Sequence, residues 1–182
     1  MRDAGIIRAA DGKDGEYISY ISEHISNVKS VFTGLARTNE LDDFEVEFIG
    51  KIIDKHDESK YQVDEFNGYR QFFFPVDGEE KDKSHFLVAW NLHQKRNPHH
   101  WQFWIMWKPE GGHALDMPFE YVIEMLCDWS AMSIKFNNIV SEWYNENKGK
   151  MLLHKDTSAC IEKYLPLFDK VLEKIKAGVD ES

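Results

Sequence analysis

Between residues 16 and 37, apolar side chains return at Tyr17, Tyr20, Ile21, Ile25, Val28, Val31, Phe32 and Leu35, in the spacing of one face of a helix. A helix with such a face must bury it, so the rest of the chain has to supply a matching apolar surface. One member of the stripe is wrong for that purpose. His24 sits inside it, where an unpaired polar ring costs roughly a few kcal/mol.

The same period recurs downstream. Phe44, Phe48, Ile49, Ile52 and Ile53 mark a second helix, with Asp42 or Asp43 available as its cap, running out at His56-Asp57. A short helix from Asp64 carries Phe66, Tyr69, Phe72 and Phe73 inward and stops at Pro75. After a charged loop at 76–84, residues 85–95 are helical, ending before Asn97-Pro98 because the residue before a proline disfavours the helical region. Pro118 suits the first turn of a helix bearing Phe119, Val122, Ile123, Leu126 and Trp129, and helices over 141–147 and 156–176 follow. The aromatic run at 102–107, with a turn at Glu110-Gly111-Gly112, suggests a hairpin pairing 103–107 with 113–117; a continued helix is the alternative. The expectation is a mainly α bundle of six or seven helices with a small β-hairpin near 102–117. Residues 1–15 form a loose lead-in, 16–176 one helical domain and 177–182 a tail.

At 182 residues the chain can bury a real core, and its six Trp, seven Tyr and twelve Phe suggest an aromatic interior or a lined pocket. A formal net charge of -10 argues against an extended nucleic-acid surface, which needs clustered Lys and Arg. Cys127 and Cys160 are too few for a disulfide framework. No apolar run suggests a signal segment or a membrane span, so a cytoplasmic protein is expected.

The chemistry gathers around Lys55-His56-Asp57-Glu58-Ser59-Lys60, where an imidazole and a carboxylate on adjacent residues can serve one divalent cation. Two ligands do not fill a coordination sphere. His24 upstream and Asp128 downstream both interrupt apolar faces; Asp128 shares a flank with Tyr121, Met125 and Met132. Either alone would be read as a core residue satisfied by a hydrogen bond, but the set together points to a metal. His93, His99 and His100 lie between, and they could hold a second metal, bind phosphate or hydrogen-bond in the core. As metal ligands His93 and His100 are preferred. His99, with Gln94 and Asn97, is a candidate for substrate contact. Lys60, one turn past Asp57, would reach a phosphoryl oxygen, or else is a solvated lysine. Glu65 is a general base, an orienting partner for a ligating histidine, or a residue favouring a helix dipole. Arg70, Lys95 and Arg96 are further cations for an anionic substrate. His85 and His113 read as surface or loop residues, and His154 as structural support at the start of the last helix.

The order His24, His56-Asp57, Asp128 resembles the HD superfamily of metal-dependent phosphohydrolases, and His56-Asp57-Glu58-Ser59-Lys60 is similar to its His-Asp-x-x-Lys form. That resemblance implies an all-helical core and one divalent ion (Mn, Fe, Mg, Zn or Co) on those four residues. It adds a second ion on intervening histidines in dinuclear members. Two departures stand out: the short gap from His93 to His99 or His100, and Lys60 where some nucleotidase-type members keep a glutamate. Nearly the whole chain also resembles an uncharacterised family of bacteria and their phages. The shared landmarks are Glu65-Phe66, Ala89-Trp90, Asn97-Pro98-His99-His100-Trp101, Met117-Pro118, Asp128-Trp129, Trp143-Tyr144 and Asn147-Lys148. The HD resemblance implies a phosphohydrolase acting on a small phosphorylated molecule, foremost a nucleotide. Its rivals are an HD-type di-iron oxygenase and a non-catalytic binding protein retaining the fold.

Overall fold

The computed structural model describes residues 12–178. Among them seven α-helices carry most of the chain: α1 (Lys13–Ala36), α2 (Asp43–Ile53), α3 (Val63–Phe73), α4 (Lys83–Arg96), α5 (Phe119–Phe136), α6 (Val140–Asn147) and α7 (Lys155–Lys176). The fold is mainly α, as the periodicity requires. Strands β1 (Ile105–Lys108) and β2 (Gly111–Ala114) form one antiparallel hairpin, with Ile105 opposite Ala114 and Lys108 opposite Gly111. Its pairing is narrower than expected, because Trp101–Trp104 turns as a 3₁₀ segment. There the Trp104 indole donates to the Pro98 carbonyl at 2.7 Å instead of lying in a ladder.

Local signals explain most boundaries. Asp42 caps α2 through a capping box: its carboxylate accepts from the Glu45 amide at 2.8 Å, and Glu45 accepts from the Asp42 amide at 2.9 Å. His154 accepts from the Asp156 amide at the start of α7. Two expected boundaries are corrected. Helix α1 begins at Lys13, inside the expected lead-in, while residues 1–11 lie outside the described set, as do 179–182 of the expected tail. Helix α2 stops at Ile53, so His56 and Asp57 sit in the turn beyond it.

Two apolar clusters share α1. The larger joins Val28, Val31, Phe32 and Leu35 of α1 to α2, α5, α6 and α7, with Ile49, Ile53, Val122, Leu126, Ile161 and Phe168 fully buried. The smaller joins Tyr17 and Ile21 of α1 to Phe66 and Tyr69 of α3 and Ala89 of α4. Helices α3 and α4 approach closely at Gly68, where a Cβ would lie 2.7 Å from the Ala89 Cβ and 2.9 Å from the His85 carbonyl oxygen. His24 falls between Ile21 and Val28, on the seam between the clusters. No helix among the described residues is long and apolar enough to cross a membrane.

Candidate metal centre

Four stretches distant in sequence meet at that seam: α1 with His24, the turn after α2 with His56 and Asp57, the end of α4 and the following loop with His93, His99 and His100, and α5 with Asp128. His24 Nε2 lies 3.0 Å from Asp128 Oδ1, 3.4 Å from Asp57 Oδ2 and 3.4 Å from His56 Nε2. His56 Nε2 is 3.5 Å from Asp57 Oδ2 and 3.9 Å from Asp128 Oδ1. On the other side of the same carboxylate, Asp57 Oδ1 lies 3.2 Å from His93 Nε2 and 3.6 Å from His99 Nε2. The two oxygens of Asp57 therefore face two separate sets of histidines. His100 joins the second set, whose donor atoms all lie within 4.8 Å of one another.

Asp57 reaches this position through its backbone. Its φ of 59° and ψ of 14° are left-handed, a conformation that aspartate tolerates better than most residues and that suits a turn between α2 and the 3₁₀ segment Glu58–Tyr61.

Behind the donor atoms sits a layer of carboxylates. Glu124 Oε1 accepts from His56 Nδ1 at 2.9 Å and lies 3.1 Å from His99 Nδ1. Glu65, fully buried, accepts from His93 Nδ1 at 2.9 Å, Ser59 Oγ at 2.8 Å and Arg96 Nη1 at 2.9 Å. Each carboxylate contact favours a proton on Nδ1 and turns Nε2 toward the centre, the orientation that metal-ligating histidines ordinarily take. Asn97 completes the layer, donating to Ser59 Oγ at 2.7 Å and to the His93 carbonyl at 2.8 Å.

Electrostatics divide the histidines: the carboxylates around His24 and His93 favour their protonated forms, whereas burial keeps His99 and His100 neutral. Burial disfavours its charge, yet Lys60, His56 and His93 hold the Asp57 carboxyl well below the usual carboxylate range. Asp128 is likewise held low despite burial, chiefly by His24. Burial pushes His99 down to about 4 and His100 well below its ordinary value, so both are neutral and can donate a lone pair. His24 rises to about 9 because the carboxylates of Asp128 and Asp57 outweigh its burial. Lys60 Nζ, 2.6 Å from Asp57 Oδ2, is the near cation.

The donor set suits a divalent ion. Three of its buried atoms, Asp57 Oδ1, His99 Nε2 and His100 Nε2, have no hydrogen-bond partner among the described residues, which is costly for protein alone and expected of metal ligands. Mixed imidazole and carboxylate donors fit Zn, Mn, Fe or Co better than Mg, which prefers oxygen.

The expected site residues therefore divide. His24, His56, Asp57, Asp128, His93 and His100 come together, and His99 joins them as a donor instead of standing among substrate contacts. Glu65 orients His93 and does not line the cavity beside the centre. Asn97 is spent on Ser59 and His93, Gln94 lines neither cavity at the site, and Arg70 is engaged by Asp14 and Glu79. Arg96 pairs with Asp64 and Glu65. Glu124 went unread in the sequence. Its signal was a carboxylate one helical turn before Asp128, on the buried face of Val122 and Ile123.

A cavity of about 430 Å³ opens onto the centre. His24, Asp57, Lys60, His93, His100 and Asp128 line one side, and aromatic side chains line the other.

Fold and site together define a mainly helical protein with a buried His/Asp cluster able to hold metal. Residues 13–167 match the Family of unknown function (DUF5662), and the chain belongs to that family. No curated protein and no solved structure matches it.

Proposed function

We propose that this protein is a metal-dependent phosphohydrolase acting on a small phosphorylated molecule, a nucleotide being the substrate that the HD resemblance suggests. The observation that carries the reading is the double-faced Asp57, whose Oδ2 looks toward His24 and His56 and whose Oδ1 looks toward His93 and His99. His24, His56, Asp57 and Asp128 would hold a first divalent cation, in the HD order. Asp57, His93 and His99, with His100 beside them, would hold a second. Such ions supply Lewis acidity toward phosphoryl oxygens and lower the pKa of a coordinated water.

The chain's own groups do the rest. Lys60 lines the cavity and would offset charge on the phosphoryl oxygens. Glu65 and Glu124 hold the ring tautomers of His93 and His56. The aromatic wall limits water to the polar end of the cavity, where each electrostatic contact is stronger.

A second reading, an HD-type di-iron oxygenase, draws on the same donors: six imidazole and carboxylate groups gather around Asp57, enough for two iron ions as well as for two hydrolytic ones. Metal analysis of the purified protein, a metal-reconstituted screen of nucleotide and generic phosphate esters, and oxygen-uptake measurements separate the two. Metal-dependent ester hydrolysis, lost in Asp57→Asn, supports the hydrolase. Iron in the isolated protein with oxygen uptake and no hydrolysis supports the oxygenase. Unchanged thermal stability after chelation, with no metal retained, would leave a binding protein and remove both.

A further inference from the structure

The far wall of the cavity is built from Tyr17, Tyr20, Tyr69, Phe74, Phe86 and Trp90. These rings brace one another. Tyr17 stacks on Tyr69 at 6.3 Å between centroids, Phe74 lies 5.6 Å from Tyr17, and Phe86 meets Tyr69 edge-on at 5.4 Å. Trp90 stacks on His93 at 5.8 Å, joining the wall to the metal centre. Two hydroxyls in this wall, Tyr17 Oη and Tyr69 Oη, are buried and without a hydrogen-bond partner among the described residues, on residues only 1% and 8% exposed. Buried polar groups rarely go unpaired in a protein, so these two mark where a ligand atom belongs.

The chemistry of the lining is narrow. Outside the cluster's own His and Asp side chains, its polar groups among the described residues are Lys60, the tyrosine hydroxyls and the Trp90 indole. Among the described residues no carboxamide, serine, threonine or arginine lines it. A ribose or a nucleobase edge placed there would lose its water and find few partners, whereas an uncharged flat body would exchange water for ring faces.

We propose that this compartment binds an aromatic or comparably flat apolar body attached to the reacting group. Resting on the hydrolase reading, it makes the substrate a phosphate ester of an aromatic alcohol, in preference to a nucleotide. Tyr17 and Tyr69 donate to an acceptor on that body, and Lys60 faces the phosphate. In the reaction the water oxygen bonds to phosphorus, the bond from phosphorus to the aryl oxygen breaks, and the leaving phenolate receives the water's proton.

The test uses three non-hydrolysed or neutral probes and adenosine monophosphate. With metal-loaded protein, calorimetry compares 1-naphthylphosphonate, methylphosphonate and adenosine monophosphate; the naphthyl compound is expected to bind at least about tenfold more tightly than either. Trp90→Leu and Phe86→Leu, checked for folding by circular dichroism, should erase that preference. Equal binding of the two phosphonates, or tighter binding of the nucleotide, overturns the inference. A metal-free titration with 2-naphthol, followed by tryptophan fluorescence, tests the compartment alone. Saturable binding weakened by Trp90→Leu supports the inference even if no ester is hydrolysed, and absence of saturable binding overturns it even if the protein proves a phosphatase.

Discussion

Replacing Glu65 by alanine tests whether the layer behind the histidines sets the centre. The Glu65 side chain has no exposed surface and accepts three hydrogen bonds. Two of them, from Ser59 and His93, are wholly buried, and a buried hydrogen bond to a charged group contributes roughly 1.5–3 kcal/mol. The third comes from Arg96, whose side chain is 31% exposed and also held by Asp64, so screening reduces its share to less than about 1 kcal/mol. Glu65→Ala should therefore destabilise the metal-free protein by about 3–5 kcal/mol, since both buried donors are left without an acceptor. Urea unfolding reads that loss directly. At this chain length it corresponds to a fall in Tm of roughly 10 °C. The same variant frees His93 to rotate or change tautomer, so metal affinity should drop about 10–100-fold in a competition titration. Glu65→Gln, which keeps the shape, should lose less stability but still lose affinity. A stability loss below about 1 kcal/mol with affinity unchanged would refute the assignment of Glu65 as the group that orients His93.

Gly68→Ala should destabilise by about 1–3 kcal/mol in the same unfolding assay, because the new methyl meets Ala89 and the His85 carbonyl where α3 and α4 are closest; pushing α4 away should also weaken metal binding through His93. Asp57→Asn should remove all tightly bound metal while leaving the fold intact, since asparagine also accepts the left-handed backbone at φ 59°; His93→Ala should remove only part of it, as elemental analysis per chain would read. Asp42→Ala, which breaks the α2 capping box, should cost roughly 0.5–2 kcal/mol in unfolding and leave metal content unchanged.

Much of the architecture was legible in the chain because helices bury one face and mark it at a fixed period. The stripe from Tyr17 to Leu35, the cap at Asp42 and the break at Asn97-Pro98 each specify local backbone, and local backbone needs no partner to be read. The extent of the hairpin was less legible, since the ring of Trp104 prefers the Pro98 carbonyl to a strand position, a contact that depends on how the loop folds back.

The ligand candidates could be nominated from sequence for a physical reason: His24 and Asp128 violate apolar faces, and a violated face demands a partner. Their order could not say which atoms meet. The tertiary structure alone decided that Asp57 divides its two oxygens between two sets of histidines, that His99 lies in the same set as His100, and that Glu124 and Glu65 stand behind the rings. It also turned an aromatic-rich composition into a cavity wall on one side of the centre. Helical period is written residue by residue, but convergence of α1, the turn after α2, the end of α4 and α5 is set by how their buried faces fit together, and no single stretch of chain carries that information.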